Sequence, residues 1–461
     1  MSDTLTNKAA SFNDIQTKDI KHHFSPFSNN KELAEHGSRV INKAHGVYIY
    51  DDNGNKLLDA MAGLWCVNIG YGRQELVDVA TKQMKELPYY NLFFKTTHAP
   101  AAKLAEKIAS LAPTHMNKVF FTGSGSEAND TIFRMVRRFW DLKGQPTKKQ
   151  FISRKNAYHG STVVGASLGG MGYMHEQGDL PIEGISHIDQ PYYFKEGGDD
   201  TQEAFGIKAA QSLETKILEI GENNIAAFIA EPFQGAGGVI VPPASYWPEI
   251  KRILAKYDIL LVVDEVISGF GRTGEWFASQ YYDLKPDLMP IAKGLSSGYL
   301  PIGGVIVGDR VAHTLIEKGG DFNHGFTYSG HPVAAAVALK NIELLESEGV
   351  IERVKNDTSP YLQKRWQELA AHPIVGETRG LGMVAGLELV KNKDTKERIA
   401  PDAKAGGICR DFSMANGLIM RPCGDTMIIS PPLVITKAEI DELVEKAVKT
   451  LDETAKYFNL L

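Results

Sequence analysis

Hydrophobic and polar positions alternate along the chain in two registers. From about residue 100, short continuous apolar runs are separated by stretches of helical period. The runs Lys118–Thr122, Gln150–Arg154, Ala226–Glu231, Leu260–Glu265, Leu288–Ala292 and Gly303–Gly308 predict strands. Segments such as Glu127–Trp140 and Ser245–Tyr257 repeat apolar residues three and four apart, which predicts helices between them. Strands that alternate with helices in this way point to an α/β protein with a mainly parallel, helix-covered sheet.

The two ends of the chain read differently. Residues 1–25 are polar and suggest a mobile or partner-draped arm. Gly46–Tyr50, a turn at Asn53-Gly54, and Lys56–Leu58 predict a hairpin. After Pro332 an apolar helix is expected over Val333–Glu346. Short strands follow at Ala385–Val390, Leu418–Arg421 and Met427–Ser430, then a last helix from about Lys437 to Tyr457. Thr436 and Glu439 have capping-box spacing at its start. This end reads as a small α+β domain completed by the N-terminal hairpin. The expected division is 1–70 for the arm and hairpin, 71–334 for a large domain and 335–461 for the C-terminal part.

Composition narrows the class. The 461 residues are 43% hydrophobic and 23% charged, with a net charge of −6, which argues against nonspecific nucleic-acid binding. Three cysteines, Cys66, Cys409 and Cys423, form no C-x-x-C pair, so no zinc site or disulfide framework is expected. The polar start lacks a signal-peptide core, and no apolar run of about 18 residues exists. A cytoplasmic protein with no membrane span is the expectation.

Two strand ends carry the chemistry. Leu260-Leu261-Val262-Val263 runs into Asp264, and Leu288-Met289-Pro290-Ile291-Ala292 runs into Lys293 and Gly294. Charges at the carboxyl ends of parallel strands stand where α/β proteins hold ligands. An acid and an amine there suit pyridoxal phosphate (PLP): the amine bonds the aldehyde and the acid keeps the pyridine nitrogen protonated. Burial is expected to lower the Lys293 pKa and free the amine as a nucleophile. Asp264 and Val266, two apart, share a face, so the valine can pack on the ring while Glu265 points away. Tyr158, in Asn156-Ala157-Tyr158-His159-Gly160, is a candidate for the ring's other face.

A third strand leads into Gly123-Ser124-Gly125-Ser126-Glu127, a glycine turn at a helix start. Free amides and the helix dipole favour a phosphate there, with the Ser126 hydroxyl as a further donor. Gly123, Gly125 and Ala128 also satisfy the dinucleotide pattern G-x-G-x-x-G/A. That rival needs an acid after the next strand, and Phe151–Asn156 offers none.

The stretches Phe120–Asp130, Tyr158-His159-Gly160, Glu231–Gly235, Val262–Gly274, Ala292-Lys293-Gly294 and Phe326–Pro332, taken together, resemble the class III PLP-dependent aminotransferases of fold type I. The resemblance spans about residues 40 to 450. It implies a large domain with a seven-stranded, mainly parallel sheet, plus a small α+β domain. It implies Lys293 as the cofactor lysine and proton carrier, Asp264 as the pyridine partner, Gly125 and Ser126 as phosphate ligands, and Tyr158 as the stacking ring. Thr327 matches a residue that reaches the phosphate of the other subunit, which implies a homodimer or tetramer with shared sites. Arg421 matches the arginine that grips a substrate carboxylate.

Ala236 stands where ornithine and 4-aminobutyrate relatives carry a glutamate that neutralises this arginine. The chain resembles instead the pyruvate-dependent ω-aminotransferases, in which Phe27, Trp65 and Phe93 match pocket-wall aromatics. Asp59–Gly72, Leu87–Phe94 and Met427–Val434 resemble the branch whose donors are putrescine, spermidine, cadaverine and similar amines. A sibling branch prefers β-alanine. An aminomutase or amine racemase shares nearly all these motifs. A non-catalytic regulator would want a basic DNA-binding appendage that the sequence does not display.

Overall fold

A computed structural model describes residues 12–400 and 404–461. The first eleven residues of the expected arm lie outside the described residues; its remainder holds the helix Asp14–His22, and a second helix, Asn30–His36, comes next. Gln16 ties the first of them to the chain by donating to the Ser38 carbonyl at 2.8 Å.

Seven strands form the central sheet. In space they run Met116–Thr122, Gly303–Gly308, Leu288–Ile291, Leu260–Val263, Ile225–Ala230, Gln150–Arg154 and Ile185–Ile188. Only Gly303–Gly308 is antiparallel to its neighbours. Six of the seven match the apolar runs. The seventh, Ile185–Ile188, is a four-residue edge strand with a polar centre, too short to show a period.

Every strand residue of 225–230 and 260–263 is buried, because the two sheet faces are both covered. Phe151, Ala227, Ile229, Val262, Val305 and Val307 belong to one apolar cluster with Ile132, Val136 and Trp140 of helix Gly125–Leu142. Their immediate neighbours Ile152, Phe228, Ala230, Leu261, Val263 and Ile306 belong to the other, with Trp247 and Ile250 of helix Tyr246–Tyr257. Alternation of side chains along a strand divides each run between the two cores.

The ends of the chain build two four-stranded sheets. Ile41–His45, Tyr48–Asp51 and Lys56–Asp59 form the first, and Leu418–Ile419 joins it in parallel, Leu418 opposite Leu58. The second holds Val375–Leu381, Val384–Leu389, Thr426–Ile429 and Arg421–Cys423. The expected strand Leu418–Arg421 is therefore divided. Met420 is buried between a piece in one sheet and a piece on the edge of the other. Pro422, which has no N–H to donate, sits on that edge strand, where the missing donor costs no ladder bond. Val375–Leu381 was not evident from the sequence; it carries two glycines and three charged or hydroxyl residues, and six of its seven residues are only partly buried. The final helix spans Lys437–Tyr457, and Thr436 and Glu439 make the reciprocal capping box.

Candidate active site

The carboxyl ends of the strands converge on a cavity of about 370 Å³ lined by Gly125, Ser126, Tyr158, Asp264, Val266 and Lys293 among others. Six sequence candidates thus come together from four strand ends. Asp264 and Val266 share the cavity as their spacing requires, and Glu265 points away. Its carboxylate is buried and accepts from the Ala278 and Ser279 amides at 3.0 and 2.6 Å.

Lys293 follows the strand end at Ile291 in a left-handed conformation, φ 45°. Two contacts fix the turn. Asn341 donates to the Gly294 and Leu295 carbonyls at 2.9 and 3.0 Å. Asn68 packs so closely on Gly294 that a Cβ there would lie 2.5 Å from its Nδ2 and would have to displace the buried Asn68 amide. Burial lowers the Lys293 amine to about 8, against Asp264, whose charge favours the protonated form.

The Asp264 carboxylate is buried and held by three donors. Oδ1 accepts from the Val266 amide at 3.0 Å; Oδ2 is 2.7 Å from His159 Nδ1 and accepts from Asn129 Nδ2 at 3.1 Å. His159 and Asn129 also line the cavity and were not singled out from the sequence. Asn129 lies four residues after Gly125 on one helix, hence on the same face, and that spacing was the available signal. Glu231 was missed as well. It is buried, accepts from the Tyr158 and Gly235 amides at 3.2 and 2.9 Å, and burial raises its pKa.

At the opposite wall, Ser124 caps helix Gly125–Leu142 by accepting from the Glu127 amide at 3.2 Å. Among the described residues the Gly125 and Ser126 amides donate to no protein acceptor. A Cβ on Gly125 would stand 3.0 Å from Val266, and one on Gly160 2.6 Å from Ser126 Oγ. The cradle is thus kept open by glycines. Free helix-start amides, and a carboxylate in the same cavity as Tyr158 and Val266, accommodate a flat ring that bears a phosphate. His159 Nε2 and Asn129 Oδ1 are buried without a partner, so polar capacity is also unspent here.

The remaining candidates lie outside this cavity. Arg421 is half-buried on its edge strand and has no ion pair or hydrogen bond from its side chain among the described residues. Its charge nevertheless reaches Lys293 and the Tyr173 phenol. Trp65 is buried with Met61, Phe233, Val239 and Ile267, in a kinked helical turn where its own φ is 66°. Phe27 is 71% exposed, Phe93 packs edge-on against Phe94, and Thr327 is exposed, its carbonyl accepting from Tyr89 Oη at 2.8 Å.

Residues 30–451 match the family described as aminotransferase class-III. Over 455 residues the chain is 65% identical to the putrescine–pyruvate aminotransferase of Pseudomonas aeruginosa, with 99% of each chain covered. It is 43% identical over 454 residues to gamma aminobutyrate transaminase 1, mitochondrial, of Solanum lycopersicum, covering 96% of this chain and 88% of that one. The omega transaminase from Pseudomonas jessenii in complex with PMP superposes with a TM-score of 0.95 at 41% identity, covering 97% of this chain and 100% of that one.

Proposed function

The chain belongs to the class-III aminotransferases, and on that premise we propose that it moves the amino group of a terminal primary amine (putrescine, spermidine, cadaverine or similar) to pyruvate, giving an aldehyde and L-alanine. It is a PLP-dependent ω-transaminase of fold type I that works in two half-reactions at one site. The near full-length identity of 65% to a putrescine–pyruvate enzyme carries the choice of donor and acceptor.

The residues fit the cofactor. Gly125 and Ser126 would hold its phosphate, Tyr158 and Val266 its two ring faces, Asp264 its ring nitrogen and Lys293 its aldehyde. Once bound, PLP supplies a protonated pyridine that draws electrons from the amine's Cα. The Asp264 carboxylate, oriented by its three partners, would stabilise that proton. Lys293 Nζ would serve as the base that takes the amine's Cα proton and as the acid that returns it. Its lowered pKa keeps it effective as a base near neutral pH. The Arg421 guanidinium, which has no carboxylate partner among the described residues, binds the pyruvate carboxylate. Ala236 supports this assignment, because it leaves the guanidinium with no acidic competitor at that position.

The same proposal includes a homodimer with shared sites. Phe27 and Phe94, 71% and 91% exposed, and the exposed Thr327 support a second copy covering that surface. It also divides the chain into residues 71–334 around the cofactor and 1–70 with 335–461 as the smaller part. The pairing of Leu418–Ile419 with Leu58–Asp59 supports that division. No described helix is long and apolar enough to cross a membrane. A cytoplasmic setting is supported by three free cysteines.

The test is a half-reaction followed by absorbance. PLP-loaded protein is mixed separately with putrescine, spermidine, β-alanine, 4-aminobutyrate and 1-phenylethylamine, and pyruvate is then added. Putrescine and spermidine should bleach the lysine-bound cofactor fastest, and pyruvate should restore it with formation of alanine. Faster bleaching by β-alanine or 4-aminobutyrate would replace the polyamine reading with an ω-amino acid one.

A further inference from the structure

The loop from Gln234 to Ile240 lies between the cavity and the sheet that carries Arg421. It is closed on itself by two backbone bonds, Gln234 N to Ile240 O at 3.0 Å and the reverse at 2.9 Å. One side is tied to the cavity wall. Glu231 joins the Tyr158 and Gly235 amides, and Gln234 donates to the Lys155 carbonyl at 2.8 Å. Gly237 sits so close to that wall that a Cβ would be 2.5 Å from the Asn156 carbonyl.

The other side is tied to the sheet by a thiol and a guanidinium. Cys423, two residues after Arg421, donates to the Ala236 carbonyl at 3.0 Å. Arg379 donates from Nε to the Val239 carbonyl at 2.9 Å and from Nη2 to the Gly238 carbonyl. The same guanidinium bonds Glu377 from Nη1 at 2.6 Å and Glu388 from Nη2 at 2.9 Å, and lies 4.7 Å from the centre of the Tyr192 ring. Glu388 in turn accepts from Thr426 Oγ1, and Thr426 is the cross-strand partner of Cys423. A planar fork with donors in fixed directions can serve two carbonyls and two carboxylates at once; an ammonium cannot.

Arg421 itself has no side-chain partner among the described residues, so its backbone largely decides where its charge stands. That backbone is an edge strand, fixed on one side by Thr426–Ile429 and against the loop by the Cys423 thiol. We infer that Arg379 is a positioning residue for keto-acid recognition: from the edge strand Val375–Leu381 it clamps the loop 234–240 to the sheet whose opposite edge strand carries Arg421, and so sets the distance between the Arg421 charge and Lys293. The inference rests on the reading of Arg421 as the group that binds the pyruvate carboxylate. It adds a residue that touches neither substrate nor cofactor, on the opposite edge of the sheet from Arg421.

The test uses PLP-loaded Arg379→Lys, Arg379→Ala, Arg421→Ala and the Arg379→Lys/Arg421→Ala double variant, with putrescine and pyruvate varied in turn. Arg379→Lys should raise the pyruvate KM by roughly tenfold or more, since a displacement of about 1 Å is that costly to an oriented contact. The amine half-reaction should stay at its original rate. The double variant should be no worse than Arg421→Ala alone, because the two residues act through one contact. Should Arg379→Ala fail to fold, Arg379→Lys, which keeps the charge, carries the test. An unchanged pyruvate KM in Arg379→Lys, or equal slowing of both half-reactions, overturns the inference while leaving Arg421 in its role. A pyruvate KM that is unmoved in Arg421→Ala overturns the reading of Arg421 instead, and the inference with it.

Discussion

The Nδ1 atom of His159 lies 2.7 Å from Oδ2 of Asp264, with both side chains buried and the far nitrogen of the imidazole unpartnered. A carboxylate that is to face a pyridine nitrogen must be held in place, and the imidazole is one of its three partners. Hydrogen bonds to charged groups contribute about 1.5–3 kcal/mol, equivalent to roughly ten- to a hundredfold in rate. His159→Phe should therefore lower kcat by that factor with little change in either KM. His159→Asn, whose amide nitrogen can take the place of Nδ1, should recover part of the loss. Equal kcat in His159→Phe and the parent would show that the other two donors suffice.

Lys293 gives a pH dependence with a definite sign. Its amine is lowered by burial to about 8, so in the cofactor-free protein it is mostly protonated below that pH and mostly free above it. The rate of cofactor loading should rise through a midpoint near 8. The unfolded chain holds this proton up to the ordinary lysine range, so the group's unfavourable burial weighs fully below about 8. That cost is relieved as pH rises from there toward the ordinary value. Lys293→Ala should abolish turnover while some PLP still binds, which absorbance and a cofactor assay of the purified variant would show. Turnover at the parent rate would end the assignment.

Ala236 is buried, and its carbonyl accepts the Cys423 thiol. Ala236→Glu would place an acid beside the strand that carries Arg421 and give that guanidinium a partner. Pyruvate would then compete with a built-in carboxylate, and its KM should rise by roughly tenfold, about the 1.4 kcal/mol that separates decades of binding. Steady-state kinetics with pyruvate varied at fixed putrescine checks this. An unaltered pyruvate KM would mean that the two side chains do not meet.

Gly237 has no room for a methyl group, since its neighbour is the backbone carbonyl of Asn156 rather than a flexible side chain. Gly237→Ala should cost roughly 1–3 kcal/mol of stability, the usual range for overpacking. The loss should appear as a lower denaturation midpoint in urea. Because the same contact holds the loop against the Tyr158 wall, PLP should also dissociate faster. A variant as stable as the parent would show that the loop moves aside freely.

By itself the sequence determined the features whose physics is local. Lys293 and Asp264 each follow an apolar run, and the glycine turn at 123–125 precedes a helical period. The capping box at Thr436 and Glu439 needs only one turn of helix. Period and chain order are enough to place these, because strand and helix geometry fix the direction of neighbouring side chains. The tertiary structure alone decided the rest. His159 reaches Asp264 across 105 residues and Arg379 reaches the loop at Val239 across 140. The chain divides at Met420 because its two flanks find partners in different sheets. Such pairings leave no period in the sequence. They are made by packing, which offsets the entropy of closing long loops only once the whole fold is in place.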